Sequence, residues 1–215
     1  MNRDVIARSA LRLLDANGIE GVTMRTLAAE LGVQAPSLYW HVKSKEDIFR
    51  AMAAAMSEDA TALMTAADRR APGRECITRW ARALRRTMLI HRDGARVFAG
   101  TLATDPAGFY VVESVLDAWR EIGFSPAEAA LRTSLLRHFI VGFCIETQTL
   151  TQLHGKSGDG RLDELQASIN PERFPLAARA LPILLGTTDD DQFELGVRLM
   201  LADITAPDGR HHVAR

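Results

Sequence analysis

The segment from Thr23 to Val42 limits the possible folds of this chain more than any other part of it. Two short stretches of helical periodicity lie in it, and Gly32 between them permits a sharp turn. Ala28 is small where a second helix would cross the first, which lets the two backbones approach closely. The shared apolar core would be formed by Leu27, Leu31, Val33 and Leu38. This pattern predicts a helix-turn-helix, and an ordinary helical hairpin is the alternative.

The other long segments also have helical periodicity, strand-like alternation is absent, and glycine and proline fall between the periodic segments. We therefore predict an all-α protein. Residues 1–45 are expected to form a three-helix head and residues 46–207 a larger helical body, with a frayed tail over residues 208–215. Helices are predicted up to Asn17, over residues 23–31, 35–42, 45–69 and 75–90, after Pro106 and Gly108 up to Ile122, and over residues 126–153, 171–180 and 189–205, with a loop over residues 154–161.

The charge of the chain is nearly balanced, since 26 Lys and Arg stand against 27 Asp and Glu, and no overall basic field attracts nucleic acid. Any contact with DNA must therefore come from the local placement of charges. The two cysteines, Cys76 and Cys144, are too few and too far apart for a zinc site or a disulfide framework, which is typical of the reducing cytoplasm. No apolar stretch has the length of a signal peptide core or a membrane span, so we expect a cytoplasmic protein without membrane association.

Two groups of motifs resemble a known family. In the head, Gly-Ile-Glu-Gly-Val-Thr-Met-Arg-Thr-Leu-Ala (residues 18–28) and Ser-Leu-Tyr-Trp-His-Val-Lys-Ser-Lys (residues 37–45) resemble the DNA-binding domain of the TetR family. In the body, the motifs that resemble the tetracycline repressors of that family are His91 to Val97, Gly100-Thr101, Gly123-Phe124-Ser125, His138 to Glu146, and Gln148. The resemblance implies a dimeric all-α repressor whose third helix enters the major groove of a palindromic operator. Its partners would be double-stranded DNA and a small-molecule effector.

The third predicted helix carries residue types that suit contacts with DNA. Its exposed start, the part that meets base edges in this docking geometry, holds Gln34, Pro36 and Ser37, and the Gln amide can bind adenine through two hydrogen bonds. Tyr39 and Trp40 are expected to pack on sugars or on a thymine methyl group, with partial burial in the protein as the alternative. The flanking residues suited to phosphate contacts are Thr23, Arg25, His41, Lys43 and Lys45. For each of these side chains, a solvated surface position without a DNA contact is the alternative.

Two segments of the body predict a homodimer. Residues 139–145 are apolar on all sides, so the helix that contains them must be covered all round. The last helix has an apolar stripe with further leucines beside it, formed by Phe193, Leu195, Val197, Leu199, Met200 and Ile204. In the resembling family such helices, here near residues 126–153 and 189–205, pair with their copies in a four-helix bundle, and Gly142 and Gly196 would let the backbones approach. A buried core within one chain is the alternative.

The predicted ligand pocket departs in its chemistry from the tetracycline repressors. The histidine that ligates the magnesium of the drug in those proteins falls on Phe98, which cannot bind a metal, and other polar drug contacts fall on Trp80, Val115 and about Thr61. We therefore expect an apolar or aromatic effector other than magnesium-tetracycline, with no metal and no cofactor, and a true tetracycline-responsive repressor is the alternative. The residues expected to hold the effector are Trp80, Leu84, Phe98, Val112 and Val115, with Thr101, Arg137 or Glu146 as orienting groups. For each of them a plain core position is the alternative.

Other classes of function fit the residues less well. His138 and Glu146 lie eight residues apart on one predicted helix, about 80° around its axis, so their side chains do not converge into a catalytic pair. The sequence contains neither a phosphate-binding loop nor a metal-spaced cluster, and Cys144 has no evident base partner. The chain is therefore not expected to be an enzyme. A ligand-independent DNA-binding regulator is the other alternative, but the body is longer than dimerisation requires.

Overall fold

Helices form the regular secondary structure throughout the described part of the chain. The computed structural model describes residues 2–99, 101, 106–157, 167–184 and 190–202. The α-helices are α1 (Arg3–Asn17), α2 (Met24–Glu30), α3 (Ala35–Tyr39), α4 (Lys45–Leu63), α5 (Ala66–Arg69), α6 (Gly73–Ile90), α7 (Gly94–Phe98), α8 (Pro106–Glu121), α9 (Pro126–Ser157), α10 (Pro175–Leu184) and α11 (Asp190–Ala202). The all-α prediction is confirmed. Within the ranges described, no helix has the length and apolar character needed to cross a membrane.

Several helices begin and end at residue types that are typical of helix caps. Thr23 precedes α2 and Ser44 precedes α4, and each side chain accepts a hydrogen bond from the backbone N–H three residues later, at 3.1 and 3.2 Å. Gly18 follows α1 and Gly32 follows α2, with φ angles of 72° and 65° that favour glycine. The short loops of the head therefore follow from local sequence chemistry.

The fourth helix is shorter than predicted. α4 ends at Leu63 and not near Arg69, because the chain turns at Met64 and a new helix, α5, begins after Thr65. The Thr65 hydroxyl accepts a hydrogen bond from the Asp68 N–H, while the Asp68 carboxylate accepts one from the Thr65 N–H at 2.9 Å. This capping box starts α5 and accounts for the break.

Two further boundaries correct the prediction. α3 ends at Tyr39 and not at Val42, because the N–H groups of His41 and Val42 both donate to the Leu38 carbonyl, at 2.9 and 3.0 Å, and tighten the last turn. α9 continues to Ser157, so residues 154–157 of the predicted loop are helical. The glycine in this stretch, Gly155, costs the helix only about 1 kcal/mol, and a helix as long as α9 can continue through it. Residues 158–161 of that prediction lie outside the described residues.

The last two described helices are displaced from their predicted ranges. The helix predicted over residues 171–180 is α10, which begins at Pro175, where the missing N–H of a proline is not needed. Before it, the Asn170 side chain accepts hydrogen bonds from the N–H groups of Glu172 and Arg173, at 2.9 and 3.0 Å, and holds a turn. The helix predicted over residues 189–205 is α11, and the residues after Ala202, including the predicted tail, lie outside the described residues.

One apolar core runs from the head into the body. In the head α1 packs against α2 and α4, and in the body α6 packs against α4, α8 and α9. α4 contacts both parts and therefore connects them. The buried apolar side chains of the head are Ile6, Ala7, Ala10, Leu11, Leu14, Val22, Leu27, Ala28, Leu38 and Val42.

An aromatic cluster joins α9 to α11. The rings of Phe139 and Phe143 lie 5.9 and 5.3 Å from the ring of Phe193, measured between centroids. A Cβ atom at Gly196 would lie 2.2 Å from the Phe139 ring, so this glycine allows close packing inside one chain. This placement corrects the expectation that Gly196 serves the approach of two chains. A Cβ atom at Gly142, by contrast, would meet nothing within 4 Å.

Candidate nucleic-acid interface and ligand pocket

The segment of residues 34–42, which contains α3, separates its buried and exposed side chains cleanly. Leu38 and Val42 are fully buried and fix the helix to the head. Trp40 is 88% exposed and Tyr39 is 50% exposed. The alternative that these side chains are partly buried in the protein is therefore wrong for Trp40 and holds only for Tyr39. The other exposed residues of the predicted base-reading surface are Gln34, Pro36 and Ser37.

The start of α3 leaves its polar groups available. Gln34 is the N-cap residue of α3, but its side chain makes no capping hydrogen bond. Pro36 lies in the first turn, as predicted, and the Ser37 N–H donates to the Gln34 carbonyl at 2.9 Å. The amide of Gln34 and the hydroxyl of Ser37 therefore lie side by side at the exposed end of α3, in reach of an external hydrogen-bonding partner.

The residues predicted to contact phosphates differ in their present partners. The Thr23 hydroxyl is used as the cap of α2, and the Lys45 Nζ lies 3.7 Å from the Glu20 carboxylate and 5.5 Å from the Phe49 ring centroid. Lys43 is exposed, and only its backbone N–H is used, in a 2.9 Å hydrogen bond to Asp47. Exposed side chains are also found at Arg25 and His41. Lys45 must share its charge with Glu20, whereas Arg25 and Lys43 can offer theirs to a phosphate.

The residues predicted to hold an effector fall into two groups. Trp80 on α6, Phe98 on α7 and Val115 on α8 are buried in the same apolar core, as is Leu84. Val112 is half-buried on α8. Glu146 is exposed on α9, about 13 Å along the helix from Arg137, and does not join the other orienting groups. The structure therefore buries Trp80, Phe98 and Val115 in the core and separates Glu146 from Arg137.

Arg137 and Thr101 meet at the C-terminal end of α7. The Arg137 Nη2 donates hydrogen bonds to the carbonyls of Phe98 and Thr101, at 3.3 and 2.7 Å, and its guanidinium carbon lies 5.3 Å from the Phe98 ring centroid. The Thr101 hydroxyl donates to the Phe98 carbonyl at 2.7 Å. Burial lowers the pKa of the half-buried Arg137 guanidinium, because desolvation disfavours its charge. These contacts attach the end of α7 to α9.

Concave sites lined by described residues also occur away from the predicted pocket. The largest of those we describe has a volume of about 600 Å³ and lies between α4, α5 and α8, lined by Thr61, Ala66, Arg69, Arg70, Tyr110 and Ser114. Another, of about 470 Å³, lies between α6 and α11. The first of these depends on the early end of α4 at Leu63. The capping motif from Thr65 to Asp68 is the sequence signal that indicates this helix end.

A chain of hydrogen bonds connects the head to α9. The Asp93 carboxylate accepts from the backbone N–H of Ile19 in the head at 3.1 Å and from the Gln152 amide on α9 at 3.0 Å. Asp93 is buried at a φ of 56°, a left-handed conformation that Asp and Asn adopt more readily than other side chains. Burial opposes ionisation of this carboxyl group, but the two hydrogen bonds together with nearby arginine charges hold its pKa below the ordinary value.

Two further contacts support the same junction. The Asp15 carboxylate of α1 accepts from the Arg92 N–H at 3.0 Å and lies 3.0 Å from the His91 Nδ1. The Gln148 side chain on α9 donates to the His91 carbonyl at 2.7 Å and accepts from the Ala95 N–H at 3.1 Å. These partners lie more than 50 residues apart in the chain, so no local sequence pattern identifies them. The segment before α7 is thus held by the head on one side and by α9 on the other.

Two further chemical features of the described residues concern metal ligands and a thiol. Among those residues, no group of three or more His, Cys, Asp or Glu side chains is placed to hold a metal ion. Phe98 presents a phenyl ring that is 5% exposed. Cys144 is a buried thiol, and burial raises its pKa to about 12, so its sulfur carries no reactive negative charge at neutral pH.

Comparison with known proteins places these features in a family. Residues 6–52 match the family described as "Bacterial regulatory proteins, tetR family", and residues 71–207 match "Tetracyclin repressor-like, C-terminal domain". The tetracycline repressor protein class C of Escherichia coli is 33% identical over 204 residues, which cover 95% of this chain and 90% of that protein.

Two solved structures from Streptomyces coelicolor have closely similar folds. A possible TetR family transcriptional regulator has a TM-score of 0.80 and 35% identity, and the match covers 94% of this chain and 97% of that one. The protein ActR in complex with actinorhodin has a TM-score of 0.80 and 25% identity, and covers 97% of this chain and 99% of that one. The helix-turn-helix of the head and the helical body are therefore those of a transcription regulator and not of an enzyme, and the chain belongs to the TetR family of DNA-binding repressors.

Proposed function

We propose that this TetR-family protein binds a palindromic operator through α3 and leaves it when a small apolar or aromatic effector other than magnesium-tetracycline enters the body. The DNA-binding part of this proposal rests on the exposed face of α3 and on Trp40 directly after it, which projects almost fully into solvent. A folded head gains nothing from that exposure, whereas a base-reading surface requires it. We place the boundary between the DNA-binding head and the effector-binding body near residue 45.

The side chains at the start of α3 would read the bases. Gln34 is suited to an adenine and Ser37 to any of several bases, while Pro36 fixes the entry of the helix. Tyr39 and Trp40 would pack on sugars or on a thymine methyl group. The contacts to phosphates would come from Arg25, His41 and Lys43. Thr23 and Lys45 would also contribute, although the Thr23 hydroxyl now caps α2 and Lys45 now pairs with Glu20.

The effector would lie against the buried apolar residues of the body. By the resemblance of the motif from His91 to Val97, Phe98 falls where the tetracycline repressors have a metal-ligating histidine, and a phenyl ring offers neither a lone pair nor a charge to magnesium. Trp80, Leu84 and Val115 lie in the same apolar core and favour an apolar or aromatic body for the ligand. The likeness to ActR, which has been solved in complex with actinorhodin, supports an aromatic ligand class.

Release of DNA would use the junction between the head and α9. A ligand that displaces the segment from His91 to Gly100 would act on Asp93, which holds Ile19 of the head, and on α4, which packs against α7. Displacement follows only if the ligand prefers the conformation that does not bind DNA. The hydrogen bonds of Gln148 and Gln152 supply the connection from α9.

We further propose that the protein is a homodimer through the helices near residues 126–153 and 189–205. Exposed apolar side chains follow one face of α9 and of α11, at Leu131, Leu135, Leu195 and Leu199, and Gly142 lies open on the same side of α9. Sedimentation velocity should show a dimer for the wild type and a monomer for Leu135→Glu. Leu176→Glu, at an exposed leucine of α10, is the matched control and should remain dimeric.

The function is tested by a band-shift titration on an operator found by footprinting the protein on genomic DNA. The purified protein should shift the operator, and actinorhodin or another aromatic compound of a metabolite panel should release it. Isothermal titration should show no tight binding of magnesium-tetracycline, and tight binding would contradict the proposed effector class. If the operator stays bound at saturation with every compound that binds the protein, the regulator is independent of ligand.

A further inference from the structure

The concave site between α4, α5 and α8 is lined by two arginines and, among the described residues, by no acidic side chain. Its volume of about 600 Å³ is in the range of small-molecule sites in proteins. The site between α6 and α11 also contains arginines, but it includes two carboxylates that form ion pairs with them. The cleft between α4, α5 and α8 therefore has positive charge that its own lining does not neutralise.

Arg69 joins α5 to the end of α4. Its Nη1 donates hydrogen bonds to the carbonyls of Met64 and Thr61, the second at 3.4 Å. These carbonyls lie at the C-terminal end of α4, where helix carbonyls lack partners within the helix and a positive charge is favourable. The side chain is half-buried. The two hydrogen bonds therefore hold the guanidinium at the wall of the cleft.

The edge of the Arg69 guanidinium formed by Nε and Nη2 has no partner among the described residues. These two groups make no hydrogen bond to a described residue, and no ion pair links Arg69 to a described carboxylate. Nε and Nη2 lie on the same side of a guanidinium and present two parallel N–H donors. Arg82 uses this edge within the protein, since its Nε and Nη2 donate to the two oxygens of Glu194 at 2.6 and 2.7 Å. Arg69 therefore offers the geometry that binds a carboxylate or a phosphate.

Arg70 adds a second positive charge to the same cleft. Its Nε donates to the Ala66 carbonyl at 3.1 Å, and its Nη1 and Nη2 make no hydrogen bond to a described residue. The carboxylate nearest in sequence, that of Asp68, is paired with Arg79. Two like charges that line one cleft repel each other, and both favour a bound anion. The cleft is therefore suited to a ligand with more than one negative charge.

We propose that the cleft between α4, α5 and α8 binds a small organic dianion, either a phosphate monoester or a dicarboxylate. One anionic group pairs with the Nε and Nη2 edge of Arg69, and Arg70 offsets the remaining charge. This cleft is separate from the buried apolar residues that would hold the effector, so its occupant is a second ligand. Because hydrogen bonds between charged groups are the strong ones, the dianion should bind at least about tenfold more tightly than a neutral ligand of the same shape.

Isothermal titration of the full-length protein with dianions and neutral analogues tests the site. The phosphates are glycerol 3-phosphate and phenyl phosphate, with glycerol and phenol as neutral analogues. The dicarboxylates are succinate and phthalate, with succinamide and phthalamide as neutral analogues. The salt concentration is kept near about 50 mM, because exposed charges are screened at higher ionic strength.

At least one dianion should bind about tenfold or more tightly than its neutral analogue. Binding of the phosphates alone would identify the ligand class as phosphate monoesters, and binding of succinate or phthalate alone would identify it as dicarboxylates. The proposal is overturned if none of the four dianions binds up to about 10 mM, or if the neutral analogues bind equally well.

Arginine variants locate the bound anion. Arg69→Gln should weaken binding of the dianion at least about tenfold, because the paired donors are lost. Arg69→Lys keeps the charge but has a single ammonium group, so it should retain only part of the affinity. Arg86→Gln is the matched control, since it removes the same charge from an exposed arginine that lines the site between α6 and α11. Equal losses in Arg69→Gln and Arg86→Gln, or an unchanged affinity in Arg69→Gln, would place the anion elsewhere.

A variant of Arg70 decides the outcome if Arg69→Gln does not fold. Arg69 supports the end of α4, whereas Arg70 is exposed and its side chain bonds only to the Ala66 carbonyl, so Arg70→Gln should fold normally. Circular dichroism and urea unfolding check the fold of both variants. The affinity of Arg70→Gln for the dianion should fall about threefold, as expected for an exposed ionic contact. An unchanged affinity in a folded Arg70→Gln would overturn the assignment of a dianion to this cleft.

Discussion

The exposed face of α3 and the proposed ligand pocket of the body divide stability and recognition among their side chains in opposite ways. In and beside α3, the buried Leu38 and Val42 hold the helix in place. The side chains of Gln34 and Trp40, which flank the helix, project outward and are not packed in the core. In the body, Phe98 and its neighbours are core residues and candidate ligand contacts at once. A surface that reads an external partner can be altered without unfolding the protein, whereas a pocket built from the core cannot.

The largest expected effect tests the body. Replacing the buried Phe98 with alanine should lower the free energy of unfolding by about 3–5 kcal/mol, because the substitution removes buried apolar area and leaves a cavity in the core. Urea unfolding followed by circular dichroism measures the change. The control Phe98→Leu keeps most of the volume and should cost clearly less. A loss for Phe98→Ala below about 1 kcal/mol would show that the pocket is not part of the core.

The junction between the two regions should give the next largest effect. In Asp93→Asn, the new NH₂ group must face one of two donors, the Ile19 N–H or the Gln152 amide, so we expect a loss of about 2 kcal/mol at neutral pH. Asn tolerates the left-handed backbone at this position, which isolates the effect of the carboxylate. Urea unfolding again provides the measurement.

The pH dependence of the Asp93 effect follows from its lowered pKa. A carboxyl group with a lowered pKa in the folded state contributes its full stabilisation above the unfolded value of about 3.9 and loses it as the pH falls through the folded pKa. The stability difference between wild type and Asp93→Asn should therefore be constant at neutral pH and shrink below about pH 4. A difference that grows on acidification would contradict this assignment.

The exposed face of α3 should respond in binding and not in stability. Trp40→Ala should weaken operator binding about tenfold, or roughly 1.4 kcal/mol, while unfolding changes by less than about 0.5 kcal/mol. Fluorescence anisotropy of labelled operator measures the affinity. The matched control is Tyr110→Ala, which removes an aromatic side chain that is 74% exposed on α8 in the body and should leave operator binding unchanged. If both variants change the operator affinity equally, Trp40 has no specific role in binding DNA.

The smallest expected effect separates two lysines of the head. Lys43→Ala should reduce the slope of log affinity against log salt concentration by about 0.9, the value for one lost phosphate contact. Lys45→Ala should reduce it by less, because the Lys45 ammonium lies 3.7 Å from the Glu20 carboxylate. Arg120→Ala, which removes an exposed charge from the body, should leave the slope unchanged. The opposite order of the two lysines would show that the Glu20 pair does not persist on DNA.

The sequence predicts the head well because its rules are local. Thr23 and Ser44 cap helices through hydrogen bonds within a few residues, and the turn predicted at Gly32 is confirmed by its positive φ angle. The early end of α4 was also readable, since Thr65 and Asp68 have the spacing of a capping box. The wrong end of α4 thus reflects an overlooked local signal and not a tertiary effect.

The junction and the pocket depend on contacts that local patterns do not encode. The hydrogen bond between Asp15 and Arg92 joins residues 77 positions apart in the chain, and the one between Arg137 and Thr101 joins residues 36 positions apart. Sequence reasoning named Arg137 as an orienting group, but it did not predict that Arg137 attaches the end of α7 to α9. It also grouped Glu146 with Arg137, which the length of α9 separates.

The exposure of Trp40 has a spectroscopic consequence. The three tryptophans of the chain lie in three environments, with Trp40 88% exposed, Trp80 8% exposed and Trp119 1% exposed. Acrylamide should quench the emission of Trp40 far more than that of the other two, and a bound duplex should shield it. Trp80 would respond to a ligand in the pocket, and Trp119 would serve as an internal reference. The unlabelled protein therefore carries separate fluorescent reporters for its two proposed partners.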